Sequence, residues 1–254
     1  MGKDLIYCAG GTAASRYACT YLKDNGIPVT EQFEPDIGHL ILDVPSFGPE
    51  GQLRMGGRIE DILTRISEDT VIYGGNLDHP ALENYRTVDF LQDEIYLAEN
   101  ACITAECALD VALPYLTVTL RNCPVLILGW GRIGKCLGQL LKSMGARVTI
   151  AARKETDRAM IQALGYHTAD FSKAAGLLDR FRLIINTVPA SVFSRMQMDA
   201  CRNDCVCIEL ASKNGIEYED IIIARGLPGI HLPESSGNLI AETFLRYYKK
   251  EVQS

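Results

Sequence analysis

Three glycines near the middle of the chain, Gly129, Gly131 and Gly134, carry the clearest chemical signal in the sequence. Their Gly-x-Gly-x-x-Gly spacing is typical of turns that bind the pyrophosphate of a dinucleotide. The first glycine permits a tight turn from strand to helix, the second lets the backbone approach the phosphates, and the third lets the helix pack closely on the strand. The spacing therefore predicts a dinucleotide site.

The residues on either side of these glycines support that interpretation. An apolar run at 124–128 precedes them, a helical pattern follows at 135–145, and a second strand-like run occupies 146–152. The order is that of a βαβ unit, with the positive N-terminus of its helix directed at the anion. We therefore expect Arg132 and Ile133, which open the helix, to contact the cofactor with the glycines.

Two basic residues, Arg153 and Lys154, follow the second strand, where NAD-binding proteins place an Asp or Glu on the ribose hydroxyls. A carboxylate there would repel a 2′-phosphate, whereas an arginine offers it a planar pair of donors and a lysine adds a mobile charge. The pair favours NADP as the cofactor. A solvated basic pair after a strand is the alternative.

Two later strand ends are predicted to face the same ligand, because ligands bind outside the carboxyl ends of strands in open parallel sheets. The first end follows the apolar run 183–186, where a proline would stop the strand pairing, and the second follows the run 205–210. An ordinary strand-ending proline is the alternative at the first. The residues expected to line the cofactor are Thr187, Val188, Pro189, Ala211 and Ser212.

Composition limits the remaining classes of function. The chain has 254 residues, 47% of them hydrophobic, which is enough to bury a core in one large or two medium domains. The net charge of -7 argues against a general nucleic-acid or anionic-membrane role. No apolar run reaches the length of a membrane span, and the N-terminus leads directly into a strand. We expect a soluble, cytoplasmic protein.

Nine cysteines are present, most of them inside apolar segments where a thiol behaves as a small hydrophobic group. Cys201, Cys205 and Cys207 form the one close group in the sequence, but they lack Cys-x-x-Cys spacing and a nearby histidine. The sequence therefore predicts packing roles for the cysteines and no metal site.

Strand-like runs that alternate with helical patterns predict an α/β protein with two Rossmann-like, doubly wound parallel sheets joined by interdomain helices. We expect a flavodoxin- or Rossmann-like substrate domain at 1–100 and an NADP-binding Rossmann domain at 101–234. A C-terminal helix at 235–254 is expected to cross back to the first domain. A helix at 100–116 would join the domains, a strand is expected at 229–232, and the segment 226–229 is expected to form a bend.

These motifs together resemble the family of dipicolinate synthase A subunits, in the same order and at similar spacing. The segments that carry the resemblance are 128–134, 152–153, 185–189, 210–213 and, above all, 226–230. Residues 100–109 join them, where the family has an Asn, a Thr and a Glu opening its interdomain helix. The first domain is less similar, since Gly10-Gly11-Thr12 stands where the family usually has Gly-Gly-Asp.

The resemblance implies an NADP-linked oxidoreductase that oxidises a dihydrodipicolinate-type dicarboxylate to dipicolinate in sporulating bacteria. The implied partner is a flavoprotein-like B subunit, the implied location is the cytoplasm of the mother cell, and we also expect a homo-oligomer. Glu106, near the expected start of the interdomain helix, is our candidate acid/base group. Lys213 is a candidate to hold a carboxylate or polarise a carbonyl or imine, and Thr104 to donate to a substrate carboxylate.

Structural roles remain open for all three: a helix-start charge for Glu106, a helix cap for Thr104 and a solvent-facing turn for Lys213. Two other classes also remain open. A D-2-hydroxyacid dehydrogenase would share the architecture, but its histidine base belongs near the proline before the last helix, where Glu234 follows Pro233. A non-catalytic, NADP-binding regulatory subunit is the second.

Overall fold

The computed structural model describes residues 5–34 and 36–252, with the backbone alone for 251 and 252. Two compact units divide the chain. The first unit comprises Met1–Asn100 together with Pro228–Ser254, and the second is Ala101–Leu227. The predicted boundaries fall after residues 100 and 234.

Every pairing between named strands is parallel in both units. The strands of the first unit are β1 (Ile6–Cys8), β2 (Val29–Thr30), β3 (His39–Ile41), β4 (Val71–Gly74) and β5 (Thr87–Asp89). Those of the second unit are β6 (Pro124–Leu128), β7 (Arg147–Ala151), β8 (His167–Ala169), β9 (Leu183–Asn186), β10 (Val206–Glu209) and β11 (Ile222–Ile223).

The α-helices of the described chain are between four and 20 residues long. They are α1 (Ala13–Asp24), α2 (Ile59–Leu63), α3 (Glu94–Ala112), α4 (Arg132–Ser143), α5 (Glu155–Ala163), α6 (Phe171–Ala174), α7 (Arg195–Met198), α8 (Leu227–His231) and α9 (Pro233–Val252). Short 3-10 helices occur at Pro80–Leu82, Phe90–Gln92, Leu113–Tyr115 and Ala175–Arg180. None of these helices combines the length and apolarity needed to cross a bilayer.

The order of the strands in each sheet identifies the fold class of each unit. The first sheet runs β2-β1-β3-β4-β5, the flavodoxin-like order. The second runs β11-β10-β9-β6-β7-β8. Taken from the β8 edge, with β6 counted as the first strand, this is the Rossmann order 3-2-1-4-5-6. The predicted fold class, two parallel-sheet α/β domains, is confirmed.

Burial explains why these runs form strands. Every residue of β9 and β10 is buried, as are the last four residues of β6. Strands covered on both faces have near-continuous apolar sequences instead of alternating ones, which is the pattern seen here. The cofactor loops discussed below are attached to these strands.

The C-terminal helix α9 belongs to the first unit and packs on α1. A Cβ added at Gly237 would lie 2.4 Å from the carbonyl oxygen of Ala14, so the two helices approach at a glycine. Farther along α9, Arg246 donates two hydrogen bonds to the Asp93 carboxylate, at 3.0 and 3.1 Å, and the Tyr247 hydroxyl donates a third at 2.7 Å. These contacts fix α9 to the start of α3.

Two predictions about the later chain are wrong. The expected strand at 229–232 and the bend at 226–229 are instead helix α8, which begins at Leu227. Gly226 has a φ of +64°, which glycine adopts without strain, and Pro228 suits the first turn of a helix. The strand that completes the sheet, β11, lies earlier and is two residues long.

Helix α3 also starts at Glu94, six residues before the expected position.

Candidate functional site

The glycine loop that joins β6 to α4 is tightly packed at two of its three glycines. Gly129 has a φ of +107°, and a Cβ there would lie 2.5 Å from the Thr187 hydroxyl oxygen. A Cβ at Gly134 would lie 2.3 Å from the carbonyl oxygen of Gly129. Both positions therefore require glycine, for the turn and for the close helix–strand contact that the sequence predicts.

The third glycine, Gly131, faces open space. A Cβ built on it meets no atom of the described residues within 4 Å, and its φ of -78° is accessible to any residue. Gly131 is the N-cap of α4, and no side chain forms a cap hydrogen bond there. The first-turn N–H groups and the helix dipole are thus arranged as in sites that take a phosphate. The loop fits a dinucleotide.

A cleft of about 310 Å³ opens at the carboxyl ends of β6, β7 and β9, beside this loop. Its volume lies in the range of ligand pockets. It is lined by Gly129, Trp130, Gly131, Ala152, Arg153, Lys154, Asp157, Phe171, Thr187, Val188 and Pro189. The cleft thus joins three separate segments that the sequence assigns to the cofactor.

The other predicted cofactor residues lie outside the lining of the cleft. Arg132, Ile133 and Gly134 form the first turn of α4. Ala211 is buried and Ser212 exposed in the loop after β10. Their contact with the cofactor remains a prediction.

The segment after β7 holds Arg153 and Lys154 at the cleft, both exposed. A neighbouring arginine, Arg158, fixes the backbone there, since its Nη1 donates to the carbonyl oxygens of Ala152 at 2.9 Å and Arg153 at 2.6 Å. The same nitrogen lies 2.8 Å from the Asp170 carboxylate. Arg158 therefore holds the turn and leaves the Arg153 side chain to face the cleft.

One acidic residue in the cleft was missed by the sequence analysis. Asp157, in the first turn of α5, lines it together with Arg153 and Lys154. A carboxylate there can accept hydrogen bonds from ribose hydroxyls, and it repels a phosphate. The cleft thus holds two cationic groups that favour NADP and one anionic group that opposes it.

A buried amide–carboxylate pair organises the loops after β9 and β10. Asn186 and Glu209 are both 0% exposed, and the Asn186 amide nitrogen donates to the two Glu209 oxygens at 2.8 and 3.0 Å. The Glu209 carboxylate also accepts the N–H groups of Ala211 at 3.0 Å and Gly215 at 2.8 Å. Asn186 in turn accepts the Val188 N–H at 3.0 Å.

This pair was not found from the sequence, because its members are 23 residues apart and each ends an apolar strand. Every oxygen of the buried carboxylate has donors, which buried charge requires. The pair therefore sets the backbone of the Val188 segment in the cleft and of the loop that carries Lys213. Lys213 itself is exposed.

Glu106 and Thr104 do not open a helix. Helix α3 starts at Glu94, so Glu106 lies twelve residues beyond its first residue, exposed on the helix surface. Thr104 is 8% exposed within the same helix. The helix-start and cap roles considered for them are therefore wrong, and the catalytic roles remain predictions.

The corresponding loop of the first unit is filled by a carboxylate of the protein itself. Asp43, which is 2% exposed, accepts the N–H groups of Gly11 and Thr12, each at 3.1 Å. It also accepts the hydroxyls of Thr12 at 2.7 Å and Ser15 at 2.5 Å. An internal anion thus satisfies the N-terminus of α1, which points to the second unit for the pyrophosphate.

The fold and the cleft define a two-domain protein with a Rossmann-type dinucleotide-binding domain. Residues 104–222 match the family model described as D-isomer specific 2-hydroxyacid dehydrogenase, NAD binding domain. The matched segment contains the glycine loop and every residue that lines the cleft. The match supports a nicotinamide cofactor and an NAD(P)-dependent oxidoreductase.

Two solved dipicolinate synthase A subunits share the fold over nearly the whole chain. The protein from Bacillus halodurans has a TM-score of 0.85 at 22% identity, with 98% of each chain covered. That from Bacillus subtilis has a TM-score of 0.82 at 20% identity, covering 99% of this chain and 98% of the other. The resemblance to this family is confirmed as a likeness of fold.

More distant dehydrogenases share the architecture. Salmonella D-lactate dehydrogenase has a TM-score of 0.62 at 13% identity, covering 97% of this chain and 96% of its own. A search of curated proteins finds no match.

Proposed function

We propose that this chain is an NADP-dependent dehydrogenase that oxidises a dihydrodipicolinate-type dicarboxylate to dipicolinate. The observation that carries the proposal is the cleft of the second unit, which joins the glycine loop, the basic turn after β7 and the Thr187 segment. The fold shared with the two dipicolinate synthase structures supports the substrate class.

The cofactor, when bound, supplies the acceptor for a hydride. The substrate ring loses that hydride and one proton, and becomes aromatic, which drives the reaction. The protein then has three tasks: to orient the ring, to bind two carboxylates and to accept the proton. We assign the proton to the Glu106 carboxylate, one substrate carboxylate to the Lys213 ammonium, and a further hydrogen bond to the Thr104 hydroxyl.

For the cofactor we propose NADP, with Arg153 and Lys154 on the 2′-phosphate. Both side chains are exposed at the cleft, and Arg158 holds the backbone between them and β7. Two cationic groups there outweigh the single carboxylate of Asp157. The glycine loop binds the pyrophosphate through the N-terminus of α4.

The setting is proposed from the same resemblance. The enzyme would work as a homo-oligomer, together with a flavoprotein-like B subunit, in the cytoplasm of the mother cell of a spore-forming bacterium. The substrate is a small dicarboxylate.

The test is an assay of the purified full-length chain with dihydrodipicolinate and either NADP or NAD, with and without the B subunit. We expect one NADPH and one dipicolinate per turnover, with NADP preferred. Formation of NADPH from 2-hydroxyacids alone would instead favour a D-2-hydroxyacid dehydrogenase, which the matched NAD-binding domain also allows. Tight NADP binding without turnover in any of these mixtures would favour a regulatory subunit.

A further inference from the structure

Three cysteine side chains converge in the second unit, away from the cofactor cleft. Cys205 immediately precedes β10 and Cys207 is its second residue, so both lie towards the amino end of that strand, whereas the cleft lies at carboxyl ends. Cys201 follows helix α7. The three Sγ atoms all lie within 4.8 Å of one another.

Backbone contacts hold these residues in place. The N–H of Cys201 donates to the carbonyl oxygen of Met198 at 2.9 Å, and that of Cys205 to the carbonyl oxygen of Arg202 at 3.0 Å. These two hydrogen bonds close two successive turns. Asp204, between them, accepts from Arg202 Nε at 2.8 Å and also pairs with Arg182. The convergence of the thiols is therefore built by a turn and a strand that are each fixed independently.

The burial of the three thiols is graded. Cys207 is 1% exposed within the apolar core, Cys205 lies at the margin of burial, and Cys201 is partly exposed. One side of the group thus faces the protein and the other is accessible to solvent. A metal ion held by three protein ligands needs this arrangement, since solvent can supply the fourth ligand of a tetrahedron.

We propose that Cys201, Cys205 and Cys207 form a site for one thiophilic divalent ion of the Zn(II) class, bound by three thiolates and one solvent molecule. Thiolates select such ions over hard cations. With metal–sulfur bonds of about 2.3 Å the sulfurs would lie about 3.8 Å apart, so side-chain movements of about 1 Å suffice. Binding releases up to three thiol protons and changes no oxidation state.

The proposed site departs from the expectation drawn from spacing, which was that these cysteines hold no metal. Cys205 lies one residue before β10 and Cys207 lies within it, and a spacing of two along extended chain places side chains on the same face. The turn after α7 then brings Cys201 to them. Neither relation produces Cys-x-x-Cys spacing, so the sequence pattern alone did not indicate a site.

A second thiol group provides a matched control. Cys102 and Cys136 also touch, with their Sγ atoms 3.2 Å apart, but among the described residues they are not part of a group of three potential ligands. A site that depends on three thiolates should therefore be weakened in Cys201→Ser and unaffected in Cys102→Ser.

The test is a titration of the reduced, chelator-treated, full-length protein with Cd²⁺, followed by the thiolate-to-cadmium charge-transfer band. We expect one ion per chain in the wild type and in Cys102→Ser. In Cys201→Ser the band should lose about a third of its amplitude, and the Cd²⁺ affinity should fall by about tenfold or more.

Thermal unfolding with Zn²⁺ gives a second measurement that does not depend on the band. Excess Zn²⁺ should raise the Tm of the wild type and of Cys102→Ser by more than that of Cys201→Ser, because tighter binding to the folded state stabilises it more. Circular dichroism of Cys201→Ser checks that this variant is folded. The proposal is overturned if the wild type gives no band, or if Cys201→Ser binds Cd²⁺ as tightly as the wild type.

Discussion

Removal of the Arg153 side chain should weaken NADP binding by about tenfold and leave NAD binding nearly unchanged. A charge-assisted hydrogen bond is worth roughly 1.5–3 kcal/mol, and the exposure of Arg153 places its loss at the lower part of that range. Since about 1.4 kcal/mol corresponds to tenfold in Kd, the expected loss follows directly. NAD lacks the 2′-phosphate and provides the internal reference.

The structure indicates that this change is local. The backbone carbonyls of Ala152 and Arg153 are held by Arg158, so Arg153→Ala should leave the turn in place. Arg153→Asp should go further and favour NAD, because a carboxylate accepts from the ribose and repels a phosphate. Asp157→Asn should act in the opposite sense and strengthen NADP binding by a few fold.

Calorimetric titration of both cofactors into these variants is the assay, at low and at high salt, because screening should reduce the NADP effect. Arg121→Ala, which removes an exposed arginine before β6, controls for the loss of one positive charge. Equal affinities of the wild type for NAD and NADP would refute the argument, since Arg153 would then be a surface charge only.

Three further predictions concern catalysis, loop geometry and acid stability. Glu106→Gln should lower turnover by ~10²-fold or more with little change in NADP affinity or Tm; unaltered steady-state kinetics would remove the acid/base assignment. Glu209→Gln places an amide donor beside the N–H groups that now donate to the carboxylate. The free energy of unfolding in urea should therefore fall by about 2 kcal/mol, and a variant as stable as the wild type would contradict this. Burial opposes ionisation of Asp93, but hydrogen bonds from Arg246, the Tyr96 N–H and Tyr247 outweigh it and lower its pKa from 3.8 to about 2. The ionised carboxylate therefore stabilises the fold fully above about pH 4, and the free energy of unfolding falls by about 2 kcal/mol as the pH falls towards 2. Urea unfolding across that pH range should show a smaller fall in Asp93→Asn than in the wild type.

The sequence predicted the second unit best where strands are long and fully buried. Strand β9 has the predicted bounds, and β10 differs by one residue at each end, because uninterrupted apolar runs leave little choice of secondary structure. The two-residue strands β2 and β11 carry too short a pattern to be recognised. Their neighbours in the sheet determine them.

The candidate site also contains some residues that the sequence predicted and others that it did not. The glycine loop and Arg153 could be found because spacing along the chain encodes their geometry. Asp157 lies in the first turn of a helix, where acidic residues are common, and the Asn186–Glu209 pair depends on the neighbouring positions of β9 and β10. Tertiary pairing brings such residues together, and no local pattern predicts it.

Gly131 allows the most direct test of the central claim, that the cleft of the second unit binds the cofactor. Its added Cβ would touch no atom in the described part of the chain, so Gly131→Val should fold with only about 1 kcal/mol lost at the helix cap. The valine side chain would nevertheless occupy the space where the phosphates approach. Calorimetric titration should show NADP affinity at least about tenfold weaker in Gly131→Val than in the wild type, with a similar Tm. NADP binding equal to that of the wild type would contradict the account.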